Sequence, residues 1–360
     1  MQICYRMYFD SCGYSIAAQE YILAMLSVKN DQDINLEPLK PPTRKGVSPK
    51  RFKFFNDLYK LHPKTPPMTV VNHCIPSVYR TAKKFAKHVG FCVYETVDIP
   101  KHWVKNVNKM DHVITCSDFN RQSMLQAGVR KPISLIPHTF DPGMFHKGIE
   151  PNSRFRRKTF FAMGTWRSRK NWETLIRAFY GAFTHSDDVC LLIKTNNPDE
   201  LRKMVRRIKM GKKWRQKATA PIYADQHGQV TFEEIPALMR QGDFYISCSL
   251  GEGFGLPGLH AMALGMPVVT PAFGGSLEYA KPEFTTHIPI AGMERRQKLD
   301  GISQFRDKMW PVIREEDVAR TMQKVVASPP VRKTHEAYEY VHKHFTYDVI
   351  GPKFLEVVQI

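Results

Sequence analysis

The sequence predicts an α/β protein of two doubly wound domains, each a parallel sheet with crossover helices, facing a central cleft. Three observations predict it. Short apolar runs alternate with longer amphipathic ones along most of the 360 residues, the rhythm of parallel strands joined by helices. The rhythm breaks at "FDPGMFHKGIEPNSRFRRK", Phe140 to Lys158, a stretch rich in Gly, Pro and charge that reads as a linker. A chain of this length also fills two domains of ordinary size, each with its own core. The boundaries read as 1–148 for the first domain, 149–330 for the second, and 331–360 for helices packing back toward the first.

In the first half, "ICYRMYF", "MTVVNH", "FCVYE", "HVITC" and "ISLIPH" read as strands; in the second, "KTFFAMG", "VCLLIK", "QVTF", "DFYISC" and "PVVTP". The tail from about Glu315 reads as helices with no new strand. After the strand ending in "SCSL" comes "GEGFGLPGLHAMALGMPVV", Gly251 to Val269. Gly253 and Gly255 leave the backbone uncovered, Pro257 suits the first turn of a helix, and "GLHAMALG" continues that helix to about Gly265. A strand, a bare loop and a helix N-terminus present N–H groups and the positive end of a dipole, which fits a phosphate or a sugar hydroxyl. The same residues also serve tight strand-to-helix turns for packing alone.

Composition limits the partners. At 42% apolar and 24% charged the chain is globular, but 53 Lys and Arg against 34 Asp and Glu leave a net charge of +19, which attracts nucleic acid, anionic membrane or a phosphorylated substrate. Cys4, Cys12, Cys74, Cys92, Cys116, Cys190 and Cys248 stand singly with no CxxC spacing, so a reducing compartment and no zinc site are expected. "MQICYRMYFD" is broken by Arg6 and Asp10 too early for a signal peptide, and no stretch reaches the length of a membrane span. The reading is a cytoplasmic protein, peripheral to a membrane at most, or one of the host cytoplasm if viral. Lack of an early G-x-G-x-x-G argues against a dehydrogenase.

"EGFGLPGLHAMALGMPVV" resembles the donor-site signature of glycosyltransferase family 4, retaining enzymes of the GT-B fold, where an acid, a G-F-G-L-P turn and a second acid eight residues on open a helix. "FFAMGTWRSRKNWETLIRAF", Phe160 to Phe179, is similar to that family's strand, glycine turn and cationic pair at the start of its second domain. Tyr94 to Phe145, beginning "YETVDIPKHW", resembles the end of its first domain. The match runs in order from Phe91 to Pro271.

The resemblance implies two Rossmann-like domains and transfer of a sugar, with retention, from a UDP- or GDP-sugar used as donor substrate, without a metal. Arg169 and Lys170 would neutralise the departing diphosphate; their charge at a helix start opposes the dipole, which argues for a functional reason. Gly255 and Leu256 would offer backbone N–H groups, Glu252 would accept hydrogen bonds from donor-sugar hydroxyls, and Gly13, in "DSCGYS", would let the diphosphate approach. Gly164, Gly253 and Phe254 complete the implied donor-binding set. The family's second acid, which binds the ribose, is replaced by His260. A neutral imidazole keeps one acceptor and one donor, so a single ribose contact and weaker or altered nucleotide binding are expected; a chain that binds without catalysing is the alternative.

His73 ends a strand in "VVNHCIP", and Glu95 and Asp98 follow the next. Each suits orienting an acceptor hydroxyl or shielding charge on the sugar, and each equally suits a structural role. Asp31 and Asp33 spell the D-Q-D of the other glycosyltransferase fold's metal site, but in "VKNDQDIN" they read as a surface loop. With no suitably placed carboxylate pair, attack from the face the phosphate leaves is preferred. The run from Arg202 to Lys217 in "LRKMVRRIKMGKKWRQKATA" holds nine cations and no acid, and Arg44, Lys45, Lys50, Arg51 and Lys53 form a second cluster. Either is a solvated face, an anionic-membrane surface or a phosphate-backbone site with Trp214 for stacking. DNA is slightly favoured as acceptor, ahead of a lipid-linked or cell-surface glycan, because no bulky apolar run accompanies the charges.

Overall fold

In the computed structural model the alternation of the sequence becomes two six-stranded parallel sheets. The structure describes all residues except 1, 29–32, 61–66, 82–85, 151–154, 156, 226, 227, 229 and 360, and not the side chain of Asp33. Unit 1 holds Met1–Met144, Val230–Glu233 and His342–Ile360; unit 2 holds Phe145–Gln229 and Glu234–Val341. Unit 2 thus begins within the stretch read as linker, of which 151–154 and 156 lie outside the described residues.

Unit 1 runs β1 (Gln2–Met7), α1 (Gly13–Val28), β2 (Asp33–Pro38), α2 (Pro49–Lys60), β3 (Thr69–His73), β4 (Lys87–Phe91), α3 (Lys101–Val107), β5 (His112–Thr115), α4 (Asp118–Gln126) and β6 (Ile133–Leu135). Its sheet has the order β2-β1-β3-β4-β5-β6, every pair parallel. Buried Ile3, Tyr5, Met7, Val70, Val71, Val89 and Phe91 show why these strands read as apolar runs: helices cover a parallel sheet on both faces.

Unit 2 runs β7 (Lys158–Met163), α5 (Trp172–Ala182), β8 (Val189–Lys194), α6 (Pro198–Met210), β9 (Ile222–Ala224), α7 (Ile235–Met239), β10 (Phe244–Ile246), α8 (Leu256–Ala263), β11 (Val268–Pro271) and β12 (Thr286–Ile288). The order is β12-β11-β10-β7-β8-β9, again parallel throughout. An antiparallel pair, β13 (Met293–Arg296) and β14 (Lys308–Pro311), follows, then α9 (Glu315–Ala327), α10 (Val331–His344) and α11 (Tyr347–Gln359). In unit 1, α11 is tied to the sheet by Thr69 Oγ1 and Lys87 Nζ, which donate to the carbonyls of Val358 and Val357 at 2.8 and 2.7 Å.

The structure corrects several local expectations. Asp33 does not lie in a loop: it opens β2, where Ile34 and Leu36 alternate into the core and pair with β1; Asp31 lies outside the described residues. The strand expected at "FCVYE" ends at Phe91, and Tyr94 leaves the ladder to donate its N–H to Asn120 Oδ1 at 2.6 Å. Of "QVTF", Gln229 lies outside the described residues and residues 230–232 form no strand; Ile222–Ala224 is the edge strand beside β8, while Phe232 lies in a 3-10 turn with its ring 4.8 Å from the Arg51 guanidinium. None of the cysteines forms a disulfide, and no described helix is long and apolar enough to cross a membrane.

Candidate active site

In each sheet the chain winds outward to both sides from one pair of neighbouring strands, and doubly wound folds bind ligands at the carboxyl ends of such a pair. In unit 2 that pair is β7 and β10. The loop after β7 carries Gly164, Arg169 and Lys170; the loop after β10 carries Glu252, Gly253, Phe254 and Gly255. Residues 82 positions apart in sequence therefore meet because their strands are adjacent.

They meet as an ion cluster. Glu252 accepts from Lys170 Nζ on Oε1 and from Arg169 Nη1 on Oε2, the latter at 3.1 Å. The three side chains are only 12–17% exposed. Burial alone would raise the Glu252 carboxyl, but Lys170 and Arg169, with hydrogen bonds from Lys170 and Ser249, push it down to about 2. Ser168–Lys170 form a 3-10 turn that ends at Asn171, whose left-handed backbone (φ 56°) redirects the chain into α5. The Arg169 carbonyl accepts from the Leu250 N–H at 2.7 Å, fastening the two loops together. Gly164 lies against the Lys170 stem: a Cβ there would come within 3.0 Å of Lys170 Cε, a tight contact that the lysine would have to shift to relieve.

The turn into α8 sits beside this cluster. Gly255 is its N-cap, at φ 85°, a conformation glycine adopts without a Cβ penalty. No side chain caps the helix; Pro257 carries no N–H and the Gly258 N–H donates to the Gly255 carbonyl at 2.9 Å, so the Leu256 N–H and the helix dipole are what this terminus offers an anion. The Tyr279 hydroxyl donates to the Gly255 carbonyl at 2.7 Å and holds the turn. Phe254 is 2% exposed, with its ring 5.2 Å from that of Tyr279. His260 is also 2% exposed, stacked on Phe145 with ring centroids 4.1 Å apart.

The remaining predicted residues belong to unit 1, at the carboxyl ends of β1, β3 and β4. His73 ends β3 and is 1% exposed; its Nδ1 lies 2.7 Å from the Tyr5 hydroxyl and its ring stacks on Phe91 at 4.0 Å. Burial holds it well below the usual histidine range. Gly13 opens α1 with open space where a Cβ would point, so packing does not explain it. The next residue, Tyr14, donates to the Val93 carbonyl at 3.0 Å and meets His73 edge-on, which gathers the Gly13 turn, His73 and the half-buried Glu95 loop. Asp98 adopts φ 63° on the exposed side of that loop. Asn171, Tyr279 and Tyr14 were missed by sequence reasoning, since their roles depend on contacts across the fold. Among the described residues no three His, Cys, Asp or Glu side chains are gathered to hold a metal ion.

The basic run is less bare than it reads. Arg202 pairs with Asp199, Lys203 with Glu200, Arg207 with Glu173 and Lys213 with Glu315. Trp214 is not available for stacking: it is 2% exposed, with Lys213 and Lys217 Nζ 4.8 and 5.1 Å from its ring.

Residues 157–291 match the family model for glycosyl transferases group 1. No curated protein matches the sequence. Among solved structures, Anabaena HepE, crystallised with UDP and glucose, superposes with a TM-score of 0.72 at 13% identity over 100% of this chain and 99% of its own. Sucrose-phosphate synthase from Thermosynechococcus elongatus gives 0.68 at 14% identity, covering 100% and 98%. A glycosyltransferase from Rickettsia africae gives 0.68 at 14% identity, covering 99% and 97%. The likeness establishes the GT-B fold.

Proposed function

For a chain of the GT-B fold whose residues 157–291 match the family model for glycosyl transferases group 1, we propose the transfer of a sugar from a nucleoside diphosphate sugar to an acceptor hydroxyl. One observation carries the reading: Arg169, Lys170 and Glu252 converge at the strand pair where the sheet changes direction, beside the uncapped N-terminus of α8. Two cations and a helix N-terminus match a diphosphate, and an adjacent acid matches sugar hydroxyls. UDP is the proposed nucleotide, supported by the UDP held by HepE.

In the proposed reaction the bond from the anomeric carbon to the phosphate oxygen breaks while the bond to the acceptor oxygen forms on the same face. The acceptor proton passes to the departing phosphate oxygen, and configuration is retained. Negative charge grows on the diphosphate in the transition state, where Arg169, Lys170 and the Leu256 N–H at the start of α8 stabilise it. Glu252 holds the donor sugar; His73 and Glu95 of unit 1 are proposed for the acceptor side. For the acceptor we propose DNA, supported by the net charge of +19 and the exposed Arg206, Lys212, Arg215 and Lys217.

A second reading, nucleotide binding without catalysis, is favoured by His260, which stacks on Phe145 where the family signature has an acid. Incubation with a panel of UDP- and GDP-sugars, following nucleotide release and the anomeric configuration of the product by NMR, separates the two. Release with retained configuration supports transfer. Binding of UDP with no release from any donor moves the protein to the second reading, and inverted configuration overturns same-face attack.

A further inference from the structure

Arg169 is held from a second side. Its backbone N–H donates to Asp300 Oδ1 at 3.3 Å, and its Nε lies 3.9 Å from Asp300 Oδ2, opposite the Nη1 contacts to Glu252 and the Gly251 carbonyl. The Asp300 side chain is fully buried, and Oδ2 has no hydrogen-bond donor among the described residues, so the guanidinium is the charge it faces. A buried carboxylate costs free energy unless an opposite charge offsets it. The backbone is also committed to the placement: Asp300 and Gly301 take left-handed conformations in succession (φ 60° and 65°), which a non-glycine residue adopts at some cost. The turn lies between β13 and β14, beyond residue 291, where the match to the family model ends.

We infer that Asp300 is a positioning residue: it anchors Arg169 so that the guanidinium keeps its place for the nucleotide diphosphate when Glu252 turns from the cations to the donor sugar. The inference rests on the donor-site reading above. Without Asp300, the side chain would keep Glu252 and the neutral Gly251 carbonyl, and a carboxylate that must leave when the donor arrives cannot also fix the cation. The four groups, two cations and two carboxylates, balance before the diphosphate binds; afterwards Asp300 still restrains Arg169 while Glu252 is engaged elsewhere. A fixed donor aimed at developing charge needs no reorganisation during the reaction.

The test is a double-substitution cycle read by calorimetric titration with UDP. Asp300→Asn tolerates the left-handed backbone and keeps an oxygen for the Arg169 N–H but loses the charge; Asp300→Gly fits the same conformation and removes the side chain. Expected are affinity losses of about threefold and about tenfold, respectively, and no further loss when either change is added to Arg169→Ala. A merely structural role would persist in the Arg169→Ala background, so persistence overturns the inference, as does wild-type affinity in Asp300→Asn and Asp300→Gly. In both cases wild-type binding and its loss in Arg169→Ala leave the donor-site reading standing. If the wild-type protein binds neither UDP nor GDP, that reading falls and this inference with it.

Discussion

His260 lies flat on Phe145, ring centroids 4.1 Å apart and planes 16° apart, with 2% of the histidine exposed. An acid in this position would sit against an aromatic face with little water to solvate it. His260→Glu is therefore expected to lower the thermal midpoint by about 5 °C or more and to leave UDP binding no tighter than in the wild type. Thermal melts and UDP titration check this. Tighter binding at unchanged stability would show that the side chain reaches the ribose.

Glu252 occupies the cations that the proposed diphosphate requires. Glu252→Gln keeps the shape but releases Lys170 and Arg169, so UDP is expected to bind about threefold tighter while turnover falls about 100-fold because the sugar loses a charged acceptor and one of its two oxygens becomes a donor NH2. Titration beside steady-state kinetics separates the effects. Weaker UDP binding would mean that Glu252 assists the nucleotide and does not compete with it.

Burial holds His138 at about 3 and His73 well below the ordinary value of 6.5. A histidine depressed in the folded state takes up its proton more readily when unfolded, so its stabilisation is full above pH 6.5 and is lost as pH falls from there toward about 3. Chemical denaturation across that window should show stability dropping, with a shallower slope in His138→Phe. Equal slopes would remove His138 from the acid response.

If the exposed cations Arg206, Lys212 and Arg215 track DNA, reversing all three to Glu should reduce the slope of log affinity against log salt by about three. Binding to anionic vesicles with none to duplex DNA would assign the face to a membrane.

The two parallel sheets were legible because a strand buried on both faces is an apolar run, as in "TVVNH" and "VCLLIK". Strands that escaped are short or half-polar: β2 alternates Ile34 and Leu36 with polar residues, and β13 carries Glu294, Arg295 and Arg296. Arg169, Lys170 and Glu252 could be named from the local stretches "SRK" and "GEGFG". Their mutual ion pairs could not, since these depend on β7 lying beside β10. Asp300 was beyond reach for the same reason: "LDG" reads as an ordinary turn, and only the fold brings its carboxylate under Arg169. Trp214 shows the reverse error, for an aromatic among cations reads as a stacking platform until its burial is seen.

The central claim is that the cations after β7 hold a nucleoside diphosphate. Calorimetric titration of wild-type protein and Lys170→Ala with UDP and GDP tests it most directly. The account predicts saturable one-site binding of UDP by the wild type and a loss of at least about tenfold in Lys170→Ala, with the thermal midpoint of the unliganded protein little changed. Equal affinity in the two proteins, or no binding of either nucleotide by the wild type, would contradict it.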